Sequence, residues 1–438
     1  MTLAQHLTPL LASLLTSERL QGLRRTVSEW QRRLQRRPHH AVFHFRIDDP
    51  YSVLMAQVLP RFAEHFGITV EPRVMLYLDQ QMYPAPDMLA ELAPRDAAAL
   101  AELNNLRFPE HWQLPAREVS LAATRCLLKY EGDERFWSLA AALADALWRA
   151  DREALETLLT DHGQMPADQA QLALEARRDQ FLHEGHYLTG TLHYGGEWYW
   201  SIERLDHLAR RLEQLGLGGG NWPLAYDRAK TATLRGPAGS GEGQPLELFF
   251  SFRSPYSYLA LSRTFALADH YGLTLTIRPV LPMVMRGLTV PRAKRFYILQ
   301  DAAREARLHG IPFGRVFDPV GLGVERCMAL WPFAQREGKL RDWLITASSG
   351  IWSQGINVAS DRGLRTLAEQ AGLDWNRARR WLDDNQWRDQ AEANRLAMMN
   401  AGSWGVPSFL TRNDMIWGQD RFAVIEQSLL ASQPDDNL

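Results

Sequence analysis

Phe252-Arg253-Ser254-Pro255-Tyr256-Ser257 stands at a junction: the apolar run 246–252 ends there and a helical pattern begins. The run is short and rich in Leu and Phe, which predicts a buried strand. Pro255 suits the first turn of a helix, where its missing N–H costs no hydrogen bond. Residues 274–280 alternate as a second strand. Further on, 408–410 and 415–417 flank the turn Thr411-Arg412-Asn413-Asp414, a hairpin pattern, and 420–430 predicts a closing helix. Between these strand groups, 293–309, 324–347, 360–371 and 374–400 carry helical periodicity. The arrangement is a βαβ unit, a helical insert and a ββα unit.

The same pattern occurs earlier in the chain. Residues 43–73 align without a gap on 248–278 at an offset of 205, with ten identities that include Pro50/Pro255, Tyr51/Tyr256, Ser52/Ser257, His65/His270, Gly67/Gly272 and Arg73/Arg278. Arg125-Cys126 matches Arg326-Cys327, and Trp200 and Arg204 match Trp417 and Arg421, in the same order. Three blocks in order predict a duplicated domain, and their spacing is too long for a solenoid. The expected organisation is an N-terminal helical extension over 1–40, a first domain over 41–216, a linker over 217–245 and a second domain over 246–434. The glycine-rich 216–221 and the stretch RGPAGSGEGQ at 235–244 are flexible by composition.

The 438 residues, 46% hydrophobic and 23% charged, suit a folded chain with full cores. A net charge of −2 gives no broad attraction to nucleic acid or to an anionic membrane, and neither is an expected partner. Two cysteines, Cys126 and Cys327, lie in different halves and form no CxxC pair, so neither a disulfide framework nor a cysteine metal site is expected. The extension is followed by arginines, the reverse order of a secretory signal, and no apolar run reaches membrane-spanning length; a cytoplasmic location is expected. The bland account of the extension is a packing helix.

Three segments carry the chemistry. The free N–H groups at the start of the helix after Ser254 favour negative charge, so a thiolate beside the Ser254 hydroxyl would be stabilised; the same serine also reads as a plain N-cap. In Gly405-Val406-Pro407-Ser408-Phe409, a cis bond before Pro407 would present the Val406 backbone to an extended peptide ligand, and a trans proline at a strand edge is the alternative. In Trp417-Gly418-Gln419-Asp420-Arg421, Asp420 could pair with an α-ammonium group and Gln419 with a carboxylate, or both could cap a helix.

Ser254-Pro255-Tyr256-Ser257, the helix start Lys294-Arg295-Phe296-Tyr297 with Asp301, Gly405-Val406-Pro407 and Gly418-Gln419-Asp420-Arg421 together resemble the family of 2-hydroxychromene-2-carboxylate isomerase and the kappa-class glutathione transferases, relatives of the DsbA oxidoreductases. The resemblance covers about 190 residues. Together with the internal repeat it implies an α/β fold of two tandem thioredoxin-like (DsbA-like) domains, each with a helical insert. It implies glutathione as cofactor, with Ser254 activating its thiol. Val406 and cis Pro407 would pair with the cysteinyl backbone, Gln419 and Asp420 would hold the γ-glutamyl end, and Lys294 the glycyl carboxylate. Pro255, Tyr256, Trp352 and Trp404 are expected around the pocket, with Trp331, Phe333 and Trp343 as further aromatic walls. The stretch 286–291 has no asparagine where the family often has one beside a Pro-Pro pair.

The activity implied is isomerisation of, or transfer to, a small aromatic or conjugated electrophile. The alternatives are a DsbA-type oxidoreductase or glutathione-peroxidase activity, and a non-catalytic binding module. The first repeat carries Asp49 for Ser254, Gly190 for Pro407, Ile202 for Gln419 and Glu203 for Asp420. An ionised Asp49 would repel a thiolate, so this half is expected not to bind glutathione and to serve as a pseudo-dimeric packing partner within a monomer. His44, Asp48, Asp49, His186 and His193 could form a metal site, but no tight spacing supports one, and no metal is expected.

Overall fold

The computed structural model describes residue 9 and residues 12–76, 84–219, 222, 234–288 and 290–431. Parts of the expected extension, of the 217–245 linker, the position 289 and the last residues of the 246–434 domain lie outside the described residues. The chain divides into two units, Leu23–Thr231 and Met1–Gly22 with Ala232–Leu438, so the expected 1–40 extension is shared between them. Each unit is built on one four-stranded sheet.

Helix α1 (Glu18–Leu34) straddles the division at Gly22 and, in the first unit, leads into β1 (His40–Phe45), α2 (Pro50–Phe66) and β2 (Thr69–Val74). Helices Pro86–Leu103, Arg117–Leu127, Phe136–Trp148, Arg152–His162 and Ala167–His183 (α3–α7) precede the hairpin β3 (Thr191–Tyr194) and β4 (Glu197–Trp200), and α8 (Leu205–Gln214) closes the unit. The sheet order is β2-β1-β3-β4, with β1 and β2 parallel and the other pairs antiparallel.

The second unit repeats this order. It runs through β5 (Pro245–Phe250), α9 (Pro255–Tyr271) and β6 (Thr274–Pro279). The insert holds α10 (Arg292–Leu308), α11 (Leu322–Arg336), α12 (Leu340–Trp352), α13 (Asp361–Gln370), α14 (Trp375–Ala378) and α15 (Gln386–Asn400). The hairpin β7 (Ser408–Leu410) and β8 (Met415–Trp417) and helix α16 (Phe422–Ala431) complete it, in the sheet order β6-β5-β7-β8. Central strands are covered on both faces, which is why β1 and β5 carry the same near-continuous burial.

Local chemistry sets the same boundaries in both units. Asp49 and Ser254 are the N-caps of α2 and α9, each followed by proline at the first helical position. Gly67 and Gly272 end these helices in the left-handed conformation, at φ 60° and 71°. Hydrogen bonds recur at the sequence offset: Tyr51 Oη to Asp96 Oδ2 at 2.7 Å matches Tyr256 Oη to Asp301 Oδ2 at 2.8 Å. At an offset one residue shorter for the donor, the Trp148 indole donates to Ile47 O at 3.1 Å and the Trp352 indole to Phe252 O at 3.1 Å.

Several boundaries differ from the sequence expectation. The helix expected over 324–347 is two helices, because Gly338 at φ 66° ends α11. The one expected over 374–400 tightens to a 3-10 turn over Arg379–Asp383 and breaks at 384–385, where the Asp384 carboxylate accepts from Gln386 N at 2.8 Å. The closing helix starts at Phe422; Gln419 and Asp420 lie in a turn before it, after Gly418 at φ 119°. The 235–244 segment is not a free tether. Gly239 N and Gly241 N donate to His270 O and Tyr271 O at 2.8 and 3.0 Å, and Gly243 N to Gly272 O at 3.0 Å, pinning it on the end of α9. Trp222 packs its ring on Phe62 and His65 of the first unit. Among the described residues no helix is long and apolar enough to cross a membrane.

Candidate functional site

The site forms where β5 passes into α9. Ser254 has extended backbone angles, and its Oγ accepts from Ser257 N at 3.1 Å, as an N-cap should. The same hydroxyl donates to Val406 O at 3.2 Å, across 152 residues of chain. The N-cap and ligand-facing readings of Ser254 are therefore compatible. The Val406-Pro407 bond is cis. Among the described residues nothing accepts from the Val406 N–H.

The loop that carries Val406 is braced from behind. Ser408 Oγ donates to Gly405 O at 2.8 Å and bonds Ser403 Oγ at 2.8 Å, and Arg286 Nη2 donates to Trp404 O at 3.1 Å. A Cβ on Gly405 would meet the Trp417 indole nitrogen at 2.8 Å, so this close approach requires glycine. Gly418 N donates to Pro407 O at 3.0 Å, which brings the Gly418-Gln419-Asp420-Arg421 turn against the proline. Asp420 is nearly buried and ion-paired with the interior Arg421 at 3.1 Å. Ser254, Val406, Pro407 and the Asp420 turn are thus brought together.

Gln419 is placed differently from the expectation. Its side chain is buried, Oε1 accepts from Arg263 Nη1 at 3.0 Å and Nε2 donates to Glu305 Oε2 at 2.7 Å. The amide ties the turn to α9 and α10 and does not face outward to take a ligand carboxylate. Lys294, in the first turn of α10, is half-buried, and desolvation brings its pKa down to about 8.

The aromatic walls are also corrected. Trp331, Phe333 and Trp343 belong to the hydrophobic core, and the Trp343 indole donates to Cys327 O at 3.3 Å. Trp352 is buried behind the Ser254 loop, bonded to Phe252 O and stacked on Phe313 at 6.0 Å. Pro255 is buried at the helix start, and Trp404 packs on Trp417 at 5.1 Å. Tyr256 is half-buried and donates to Asp301, which also pairs with Arg304 Nη2 at 2.5 Å. Sequence reasoning missed this Tyr256–Asp301–Arg304 chain, although Tyr51 and Asp96 stand at the matching positions.

Both cysteines are free and buried, and burial pushes both thiols up. Neither lies at a helix N-terminus beside the site.

In the first unit the corresponding place is closed by protein groups. Asp49 Oδ2 accepts from Ser52 Oγ at 2.7 Å and Thr189 Oγ1 at 2.9 Å, and Oδ1 accepts from Tyr51 N at 3.2 Å. Gly190 at φ 65° passes so close that a Cβ would lie 3.0 Å from Ser52 N. The helix dipole was expected to keep Asp49 ionised; burial instead raises its pKa. His186 and His193 stack on Trp198 at 4.5 and 4.1 Å, and His44 lies 5.5 Å from the same ring. Among the described residues no group of three or more candidate ligands is arranged to hold a metal ion.

The family model of the DsbA-like thioredoxin domain matches residues 245–430. A 2-hydroxychromene-2-carboxylate isomerase from Pseudomonas putida is 26% identical over 192 residues, covering 42% of this chain and 93% of the relative. The enzyme of that name from Sphingobium xenophagum is 25% identical over 197 residues, covering 42% and 97%. A solved structure of 2-hydroxychromene-2-carboxylate isomerase aligns at 25% identity with a TM-score of 0.37, over 42% of this chain and 94% of that one.

Proposed function

We propose, taking residues 245–430 as a DsbA-like thioredoxin domain, that this chain is a glutathione-dependent isomerase or transferase acting on a small aromatic or conjugated electrophile. One observation carries the reading: the Ser254 hydroxyl lies between the N-terminus of α9 and the carbonyl that precedes cis Pro407. The similarity of this one domain, 42% of the chain, to enzymes named as isomerases favours isomerisation.

The donor set fits the tripeptide. The Val406 N–H suits an extended backbone, Asp420 an ammonium group and Lys294 a carboxylate. When bound, glutathione supplies a thiol nucleophile that adds to a conjugated carbon and leaves again after bond rotation. The chain's part is to hold that sulfur as a thiolate. The Ser254 O–H turns from Val406 O to donate to it, and the positive end of the α9 dipole adds to this. No side-chain base is required, which agrees with the lack of a histidine among these residues.

The recurring Tyr–Asp and Trp–carbonyl bonds support a second reading of the same kind for the first unit: a duplicated thioredoxin-like domain whose site Asp49 has closed.

Calorimetric titration with reduced glutathione tests the assignment. One site per chain is expected. Asp420→Asn, which keeps the shape beside Arg421, should weaken binding about tenfold. Absence of any binding heat with the intact chain would remove the proposal. The Lys294 contribution is pH-dependent in a defined direction. Its ammonium is charged below a pKa of about 8, so affinity should fall as pH rises through that value. Lys294→Gln should flatten this fall; an unchanged slope would take Lys294 out of the site.

A further inference from the structure

Helix α1 is amphipathic in the inverse sense to a packing helix. Leu23, Val27, Trp30 and Leu34 recur at spacings of four, three and four, which puts them on one face. That face points to solvent: the four residues are 59%, 45%, 63% and 68% exposed, and α1 has no buried residue. The polar side faces the protein. Arg25 forks onto Glu197 with Nε to Oε1 at 2.7 Å and Nη2 to Oε2 at 2.8 Å. Within the helix, Glu29, only 14% exposed, pairs with Arg32 at 2.6 Å and with the exposed Arg33 at 2.9 Å. The expected packing helix therefore reaches the rest of its unit through the Arg25–Glu197 fork and leaves its apolar stripe open.

Charge says what covers the stripe. From Glu18 to Arg37 there are seven arginines and two glutamates, a local excess that the net charge of −2 conceals. By the helical repeat, Arg24 runs along one flank of the stripe and Arg19 and Arg33 along the other, while Glu18 and Glu29 fall on the opposite side. Arg36 and Arg37 follow past the helix end. An apolar stripe with a central tryptophan and cationic flanks matches the boundary between acyl chains and anionic headgroups. A second copy of α1 would set arginine against arginine. The stripe also spans fewer than the roughly three to four heptads that a helical zipper needs.

We infer that α1 adsorbs in the plane of an anionic lipid surface, with Leu23, Val27, Trp30 and Leu34 in the acyl boundary and the flanking arginines on lipid phosphates. The contact is peripheral and weak, because one short stripe supplies little apolar area and the rest is screened by salt.

Co-sedimentation of the full chain with vesicles tests this. Vesicles with about 30% phosphatidylserine should bind at least about fivefold more protein than neutral phosphatidylcholine vesicles in about 0.1 M salt, and most of this should be lost near about 0.5 M. Trp30→Gln with Leu34→Gln should lower binding about tenfold with an unchanged melting temperature, since both side chains are exposed. Arg24→Gln with Arg33→Gln should reduce the preference for anionic vesicles. No sedimentation of the wild-type chain with anionic vesicles, or equal sedimentation of the Trp30/Leu34 variant, overturns the inference. A dimer in sedimentation velocity that this variant abolishes overturns it too, by assigning the stripe to a second copy.

Discussion

Replacing Ser254 by alanine is expected to lower turnover about a hundredfold near neutral pH, the usual cost of losing one preorganised donor to a developing or standing anion. The hydroxyl is held by a bond from Ser257 N at 3.1 Å and directed to Val406 O at 3.2 Å, so its donor lies beside the peptide-pairing edge. Removing it leaves a bound thiol with only the helix N-terminus to favour its ionised form. The thiol pKa then rises, and activity of Ser254→Ala should recover part of its loss as pH increases. The lost N-cap costs about 1 kcal/mol of stability, too little to unfold the domain. Rates across pH check both parts. A variant within threefold of wild type at pH 7, with an unshifted profile, would remove Ser254 from catalysis.

Asp301→Ala should destabilise the second unit by about 3–5 kcal/mol, the range for a buried charge that loses its counter-ion. The Asp301 side chain is fully buried and that of Arg304 only 9% exposed, joined at 2.5 Å, and Tyr256 Oη donates to the same carboxylate at 2.8 Å. The first unit supplies an internal control. Asp96 accepts from Tyr51 Oη at 2.7 Å, but Ala99 stands where Arg304 does and Asp96 is partly exposed. Asp96→Ala, at a partly exposed carboxylate without that arginine, should therefore cost less than Asp301→Ala. Denaturant titration of the two variants measures the difference. Equal costs would show that the ion pair adds nothing to the second unit.

Features of the sequence that act locally were legible. Serine or aspartate ahead of Pro-Tyr-Ser marks a helix start, and Gly67 and Gly272 mark the ends, because these preferences need only neighbouring backbone. The hairpin turn at 411–414 is of the same kind, with Thr411 N donating to Asp414 O at 3.0 Å. Features that depend on distant partners were not. Gln419 turns inward because Glu305 and Arg263 meet it there, 114 and 156 residues away. The break at Gly338 sits inside an otherwise helical pattern, where one glycine is compatible with continuation. The extension was expected to pack as a helix, but its sequence carries no sign for which way the apolar side of α1 is turned. The tryptophans of the insert could equally line a cleft or fill a core; they fill the core because α11 and α12 pack around them.

The burial of Cys126 and Cys327 has a practical corollary for chemistry done on this chain. Sealed in separate interiors, both sulfurs should be silent toward alkylating probes while the fold holds. The protein is therefore a natural blank on which one introduced cysteine, at position 254 above all, would report its own surroundings without background.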